Sequence, residues 1–181
     1  MSIFYIRHSI KTHKNGRVPQ NTVLPYYALD PDLTSEGEVL AKEKFQILFQ
    51  SYTPHKIVTS PFLRTRRTAK IAQQVIYELT NTNIDITIDH QLSEYINKSK
   101  HHIKDEDFHP DTLIHHPISE YMSQYKRRIK NHYDGVDFND HVLYITHGMN
   151  IQQIAQLHQQ PIKYPREVCG IKIINQQIEL I

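Results

Sequence analysis

Several short apolar runs in this chain stop abruptly at residues that carry chemistry. Ile3-Phe4-Tyr5-Ile6 ends at Arg7-His8, "KIVTS" (56–60) runs into Pro61 and Arg64, and "HVLYIT" (141–146) ends at His147-Gly148. Runs this short, rich in β-branched and aromatic residues, read as strands buried on both faces. Between them lie segments with helical spacing. In "LTSEGEVLAKEKFQILFQ" the apolar stripe runs Gly37, Leu40, Ala41, Phe45, Leu48 and Phe49, and Ser35 with Glu38 has the spacing of a capping box. In "SPFLRTRRTAKIAQQVIYELT" the stripe is Thr68, Ile71, Ala72, Val75, Ile76 and Leu79, with Ser60 expected as N-cap and Pro61 in the first turn. "IDITID" (84–89) reads as a further strand, 113–132 as a helix despite Pro117, "HGMNIQQIAQLH" as a helix, and "VCGIKIINQQIELI" as two short strands or a hairpin.

Strands alternating with helices predict an α/β layered fold with a mostly parallel central sheet flanked by helices. A chain of 181 residues suits one such domain over 1–181. At 39% apolar and 22% charged residues with a net charge of +2, nothing points to nucleic acid or a membrane as partner. No apolar run approaches the length of a membrane span, and Cys169 is the sole cysteine, so a cytoplasmic protein without an intrachain disulfide is expected.

In parallel sheets ligands sit beyond the carboxyl ends of the strands. The residues there are Arg7 and His8, then Ser60, Pro61 and Arg64, then Thr146, His147 and Gly148, with Glu94 shortly after the third strand. Arg64 falls in the first turn of its helix, where a cation meets the positive end of the helix dipole unless an anion binds beside it. Arg66 and Arg67 read as solvated. Two arginines, two imidazoles and a carboxylate suit phosphoryl transfer. Neutral imidazole attacks phosphorus, guanidinium forks match the equatorial oxygens, and a carboxylic acid protonates the departing alkoxide.

These stretches resemble the histidine phosphatase superfamily, the phosphoglycerate mutase-like group. "IRHS" resembles its opening Arg-His-Gly, "LTSEG" its Leu-Thr-x-x-Gly, "SPFLRTRRTA" its Ser-Pro-Leu-x-Arg-Ala-x-Gln-Thr-Ala, "LSEYI" its Leu-x-Glu, and "ITHGMNI" its second His-Gly. The resemblance implies His8 as the nucleophile that becomes phosphohistidine. It implies Arg7, Arg64 and His147 as the phosphate pocket, Glu94 as proton donor and then base, and Gly148 and Asn15 as substrate contacts. The implied activity is a phosphomonoesterase needing no metal and no cofactor, acting on a small phosphorylated substrate or a phosphoprotein. The alternatives are a mutase returning the phosphoryl group to a sugar acid, or a pseudo-phosphatase that only binds phosphorylated ligands.

The sequence departs from the pattern in places. Ser9 replaces the family's glycine, Ile10 a common Glu, Thr65 and Arg67 the usual Ala and Gln, and Met149 a second Gly. Lys14 stands at the family's asparagine position, so Asn15 reaches the phosphate only with a one-residue insertion. Asp105, Glu106 and Asp107 are rivals to Glu94. His101-His102, His115-His116, His90 and His109 read as a polar loop rather than as metal ligands, since they lack metal-site spacing. "YKRRIK" (125–130) reads as a solvated helix face. No feature of the sequence bears on oligomeric state.

Overall fold

The computed structural model describes residues 2–13, 27–99, 104–115 and 119–181. Its six strands are β1 (Ser2–Arg7), β2 (Lys56–Thr59), β3 (Ile86–Ile88), β4 (His141–Thr146), β5 (Gly170–Ile174) and β6 (Gln177–Leu180). They form one sheet in the order β3-β2-β4-β1-β5-β6. The β3-β2, β2-β4 and β4-β1 pairs are parallel, while β5 pairs antiparallel to β1 and β6 to β5. The layered, mostly parallel α/β fold expected from the alternation is the one observed.

The two faces follow from the period-2 geometry of strands. Phe4, Ile6, Ile57, Leu143 and Ile145 point to one side and pack on Ala41, Phe45, Ala69, Ala72, Val75 and Ile76. Those partners belong to α1 (Ser35–Leu48) and α2 (Leu63–Thr80). Ile3, Tyr5, Val58, Val142 and Tyr144 point to the other side and pack on Tyr125, Ile129, Ile151 and Ile154. A short α3 (Pro110–Leu113) comes next in the chain, and the second face is covered by α4 (Met122–Asp134) and α5 (Gly148–Leu157). A smaller cluster of Leu29, Phe62, Ile96 and Phe108 lies apart from both layers.

Three local expectations are corrected. The cap of α1 is Thr34, whose hydroxyl accepts from the Gly37 amide at 3.0 Å, and Ser35 is already helical. α2 starts at Leu63 after Phe62, so Ser60 and Pro61 precede the helix; Ser60 is instead drawn toward the sheet edge. The helix expected over 113–132 is split: α3 ends at Leu113, α4 begins at Met122, and residues 116–118, including Pro117, lie outside the described residues.

The β5–β6 hairpin turns on Asn175 and Gln176, with φ of 48° and 63°. Two positive φ values in a two-residue loop match a type I′ turn, where glycine is preferred at the second position. Gln176→Gly should raise stability by about 1 kcal/mol, because the left-handed conformation penalises a side chain there. A rise in the denaturant midpoint with unchanged m-value would show it.

Candidate active site

Register brings the two histidines together. β1 pairs with β4 so that Arg7 faces Thr146. The next residues, His8 and His147, therefore leave the sheet side by side, with ring centroids 5.4 Å apart. On the other side of β4, Thr59 faces Ile145. Ser60 then reaches His147, with its hydroxyl 2.9 Å from Nε2.

The hydrogen-bond network assigns both tautomers. His8 Nδ1 lies 2.7 Å from the Ser9 carbonyl oxygen. A carbonyl only accepts, so Nδ1 carries the proton and the lone pair is on Nε2. His147 Nδ1 lies 3.5 Å from Arg64 Nη2, which only donates, so in the neutral ring the proton sits on Nε2 toward Ser60. Both rings are almost wholly buried. Burial, followed by the charge of Arg64, pushes each imidazole well below its ordinary range. Lys11 acts in the same direction on both, and Arg7 on His8.

Ser9, the residue in place of glycine, is accommodated by two bonds. Its amide donates to Thr68 Oγ1 at 3.1 Å and its hydroxyl donates to the Gly37 carbonyl at 2.6 Å. Gly37 leaves the room this needs: a Cβ there would stand 2.5 Å from the Ile10 carbonyl oxygen. The "LTSEG" stretch thus caps α1 and admits the backbone that follows His8.

Arg64 is fully buried and reaches three partners. Nη1 lies 3.4 Å from Asp30 Oδ1, Nη2 is 2.5 Å from Glu94 Oε2, and Nη2 also approaches His147. Asp30 is itself buried and accepts from the Leu63 amide at 2.8 Å, Thr112 Oγ1 at 2.6 Å and the His109 amide at 3.4 Å. Glu94 Oε1 is 3.9 Å from His147 Nδ1. Of the rival carboxylates, Glu106 pairs with Lys104, Asp107 accepts from the Lys104 amide, and all of Asp105–Asp107 are exposed or half-buried.

The loop that carries Glu94 is tied down from three elements. Asn150 Nδ2 donates to the Leu92 carbonyl at 2.7 Å, Thr146 Oγ1 to the same oxygen at 3.2 Å, and Arg128 Nη1 to the Ser93 carbonyl at 3.0 Å. Arg128 also pairs with the buried Glu120. The solvated face expected for "YKRRIK" is therefore corrected: Tyr125 and Ile129 are core, and Arg128 faces inward.

Arg7 is held beside the histidines by the segment before β5. Nη1 donates to the Pro165 carbonyl at 2.9 Å and pairs with Glu167 at 3.0 Å, and the guanidinium lies 4.8 Å from the Tyr164 ring centroid. Gly148 opens α5 against the same ring; a Cβ there would meet Tyr164 at 2.3 Å. Arg7 Nε and Arg64 Nε are buried and have no acceptor among the described residues. A buried donor without an acceptor costs about 1–3 kcal/mol.

The structure thus gathers His8, His147, Arg7, Arg64 and Glu94, with Gly148 beside them, while Asn15 lies outside the described residues. Sequence reasoning missed Asp30, Thr112, Arg128 and Asn150. Asp30 had one available signal, its place in "LDPDLT" beside the quoted motif. Among the described residues, no group of three or more His, Cys, Asp or Glu is arranged to hold a metal ion. His90 and His115 face each other at 3.3 Å and His109 caps α3, while His101, His102 and His116 lie outside the described residues.

Two buried neutral imidazoles carry a stability consequence. Their lowered values mean that the unfolded chain binds protons first as pH falls, so stability declines below the unfolded value of about 6.5. Between about pH 7 and 5.5 the urea midpoint should therefore fall.

A family model described as the histidine phosphatase superfamily (branch 1) matches residues 3–170. A comparison with curated proteins gives no sequence match. Among solved structures, a phosphoglycerate mutase from Bacillus anthracis str. Sterne superposes with a TM-score of 0.70 at 14% identity, covering 99% of this chain and 92% of that one. TTHB049 from Thermus thermophilus gives 0.64 at 18% identity, with coverage of 99% and 97%. A protein proposed to be an alpha-ribazole-5'-P phosphatase, from Escherichia coli K-12, gives 0.64 at 18% identity, with coverage of 100% and 94%. At these identities the structures speak for the fold. The match of the family model over residues 3–170, most of the chain, shows that the chain belongs to branch 1 of the histidine phosphatase superfamily.

Proposed function

We propose that this protein is a phosphomonoesterase that works through a phosphohistidine on His8. One observation carries the reading: His8 Nδ1 is committed to the Ser9 carbonyl, which leaves a lone pair on Nε2 near the buried Arg64 and the partly exposed Arg7. In the first step Nε2 attacks phosphorus, the P–N bond forms and the P–O bond to the leaving group breaks. Glu94, in its acid form, gives its proton to the departing oxygen. In the second step the Glu94 carboxylate takes a proton from water, the hydroxide opens the P–N bond, and inorganic phosphate leaves. Arg7 and Arg64 hold the equatorial oxygens throughout, where developing charge is stabilised by donors already in place, and His147 joins them when a bound phosphate draws its proton to Nδ1.

Each assignment has support in the geometry. His147 turns Nδ1 toward Arg64 and Glu94 rather than toward the core. Glu94 is close enough to both for its carboxyl to share the same pocket. The partner in this reading is a small phosphorylated substrate or a phosphorylated side chain, and the mechanism uses no metal and no organic cofactor. A cytoplasmic setting fits the lone Cys169, and among the described residues no helix is long and apolar enough to cross a membrane.

The test is hydrolysis of an aryl phosphate in excess chelator. His8→Ala should lower kcat by at least about a thousandfold, and rapid acid-free quenching should trap a phosphorylated wild type but no phosphorylated variant. Glu94→Gln should cost about 10²–10⁴-fold on an alkyl phosphate, where the leaving group needs a proton, and much less on an activated aryl phosphate. Unchanged turnover in His8→Ala would sink the mechanism, and transfer of the phosphoryl group to an added sugar acid would redirect it to a mutase.

The lowered values of both histidines set a pH expectation. Free-enzyme His8 stays neutral, and so nucleophilic, below the ordinary imidazole range. After correction for the phosphate ionisation near about 6, kcat/KM should hold level as pH falls through about 6.5. A decline centred there would contradict the burial of His8.

A further inference from the structure

Glu94 lies in neither a helix nor a strand, and the segment that carries it is docked on α4 and on the residue that leads into that helix. On the side before Glu94, Arg128 Nη1 donates to the Ser93 carbonyl at 3.0 Å and also reaches the Gln91 carbonyl. On the side after it, the Tyr95 ring packs on the buried Tyr125 ring, with centroids 5.1 Å apart. Glu120 extends the contact through its backbone. Its amide donates to the Ile96 carbonyl at 2.9 Å, and its carbonyl accepts from the Lys98 amide at 3.2 Å. Asn97 and Glu120 pair there as a parallel bridge.

A buried ion pair joins the two sides. Arg128 Nε lies 3.3 Å from Glu120 Oε2, and Nη2 meets Oε1. The Glu120 side chain is 4% exposed and that of Arg128 15%, so the pair is largely shielded from water. One guanidinium thus spends Nε and Nη2 on the carboxylate and Nη1 on the two carbonyls. A planar fork allows that division and a lysine ammonium does not. Stability alone does not account for the arrangement, because an ion pair so buried adds little over apolar packing of the same shape.

We propose that Arg128 and Glu120 together are a positioning unit for the proton donor, holding the chain on both sides of Glu94 so that its carboxyl keeps its place beside Arg64 and His147. Neither residue acts on the reacting atoms directly. The inference deepens the phosphatase reading above and rests on its assignment of Glu94. A misplacement of about 1 Å can cost about a hundredfold in such a step. The loss is greatest where the departing oxygen is a poor leaving group and must be protonated as it goes.

The experiment compares kcat/KM for benzyl phosphate, whose alkoxide needs a proton, with kcat/KM for para-nitrophenyl phosphate, whose phenolate leaves unaided. Arg128→Lys keeps a cation beside Glu120 and gives up the fork. The double variant Arg128→Met with Glu120→Gln leaves no buried charge unpaired, which guards against loss of folding. Both should lose about ten- to a hundredfold on benzyl phosphate and little on para-nitrophenyl phosphate. Inorganic phosphate should inhibit both as it does wild type, since Arg7 and Arg64 are intact. In a Glu94→Gln background, Arg128→Lys should cost nothing further on either ester. Amide exchange at Lys98 and Glu120 should quicken in both variants while that of β1 and β4 stays slow.

No loss on benzyl phosphate, equal losses on the two esters, a further loss in the Glu94→Gln background, or unchanged exchange at Lys98 and Glu120 would each overturn the proposal. A wild type that hydrolyses neither ester sinks the catalytic reading instead, and the hold on the Glu94 segment is then decided by the exchange at Lys98 and Glu120.

Discussion

A single buried guanidinium organises the catalytic edge of this molecule. Arg64 has no exposed surface, and an ion in that position without partners costs several kcal/mol. Its surroundings are therefore tightly specified. Asp30 meets one amino group, Glu94 and His147 meet the other, and the Phe62 ring lies 4.7 Å from its charge centre. Asp30 in turn ties together the start of α2, the His109 amide and Thr112, so the roof of Leu29, Phe62, Ile96 and Phe108 is assembled around a salt bridge. A buried ion pair of this kind adds little net stability. Its contribution is geometric, since it leaves the other half of the guanidinium aimed where a carboxylate and an imidazole converge.

The same economy of position runs through the rest of the site. The two histidines are adjacent because two parallel strands end in register, and both are kept neutral by burial beside fixed positive charge. Glu94 belongs to no helix or strand, yet Asn150, Thr146 and Arg128 hold the carbonyls just before it. Asn150 and Thr146 flank His147 on β4 and α5. The elements that flank one imidazole therefore also tie down the loop that carries the carboxylate.

Much of this was legible in one dimension. Strand ends are visible because a buried run must be apolar and must stop; Arg7, His8 and His147 stand at those stops, and Arg64 follows in the first turn of the next helix. Glu94 was preferred among four candidate carboxylates for its place in "LSEYI" just after the third strand, with Asp105, Glu106 and Asp107 as rivals. Arg128 looked like part of a solvated basic stretch, because a helical stripe of charge reads the same whether it meets water or a buried Glu120. Helix starts were misplaced by one and two residues: Ser35 and Ser60 satisfy the local preference for a cap, while Thr34 and Phe62 occupy the positions.

The sequence by itself determined the layered fold and the family, since periodicity and motif order are local properties of the chain. It also determined which residues stand at the strand ends. Only the tertiary structure decided the partners: Asp30 for Arg64, Glu167 and Tyr164 for Arg7, and Asn150 for the Glu94 loop. Those pairings join residues far apart in the chain. Their strength depends on distance and burial, which no local pattern encodes.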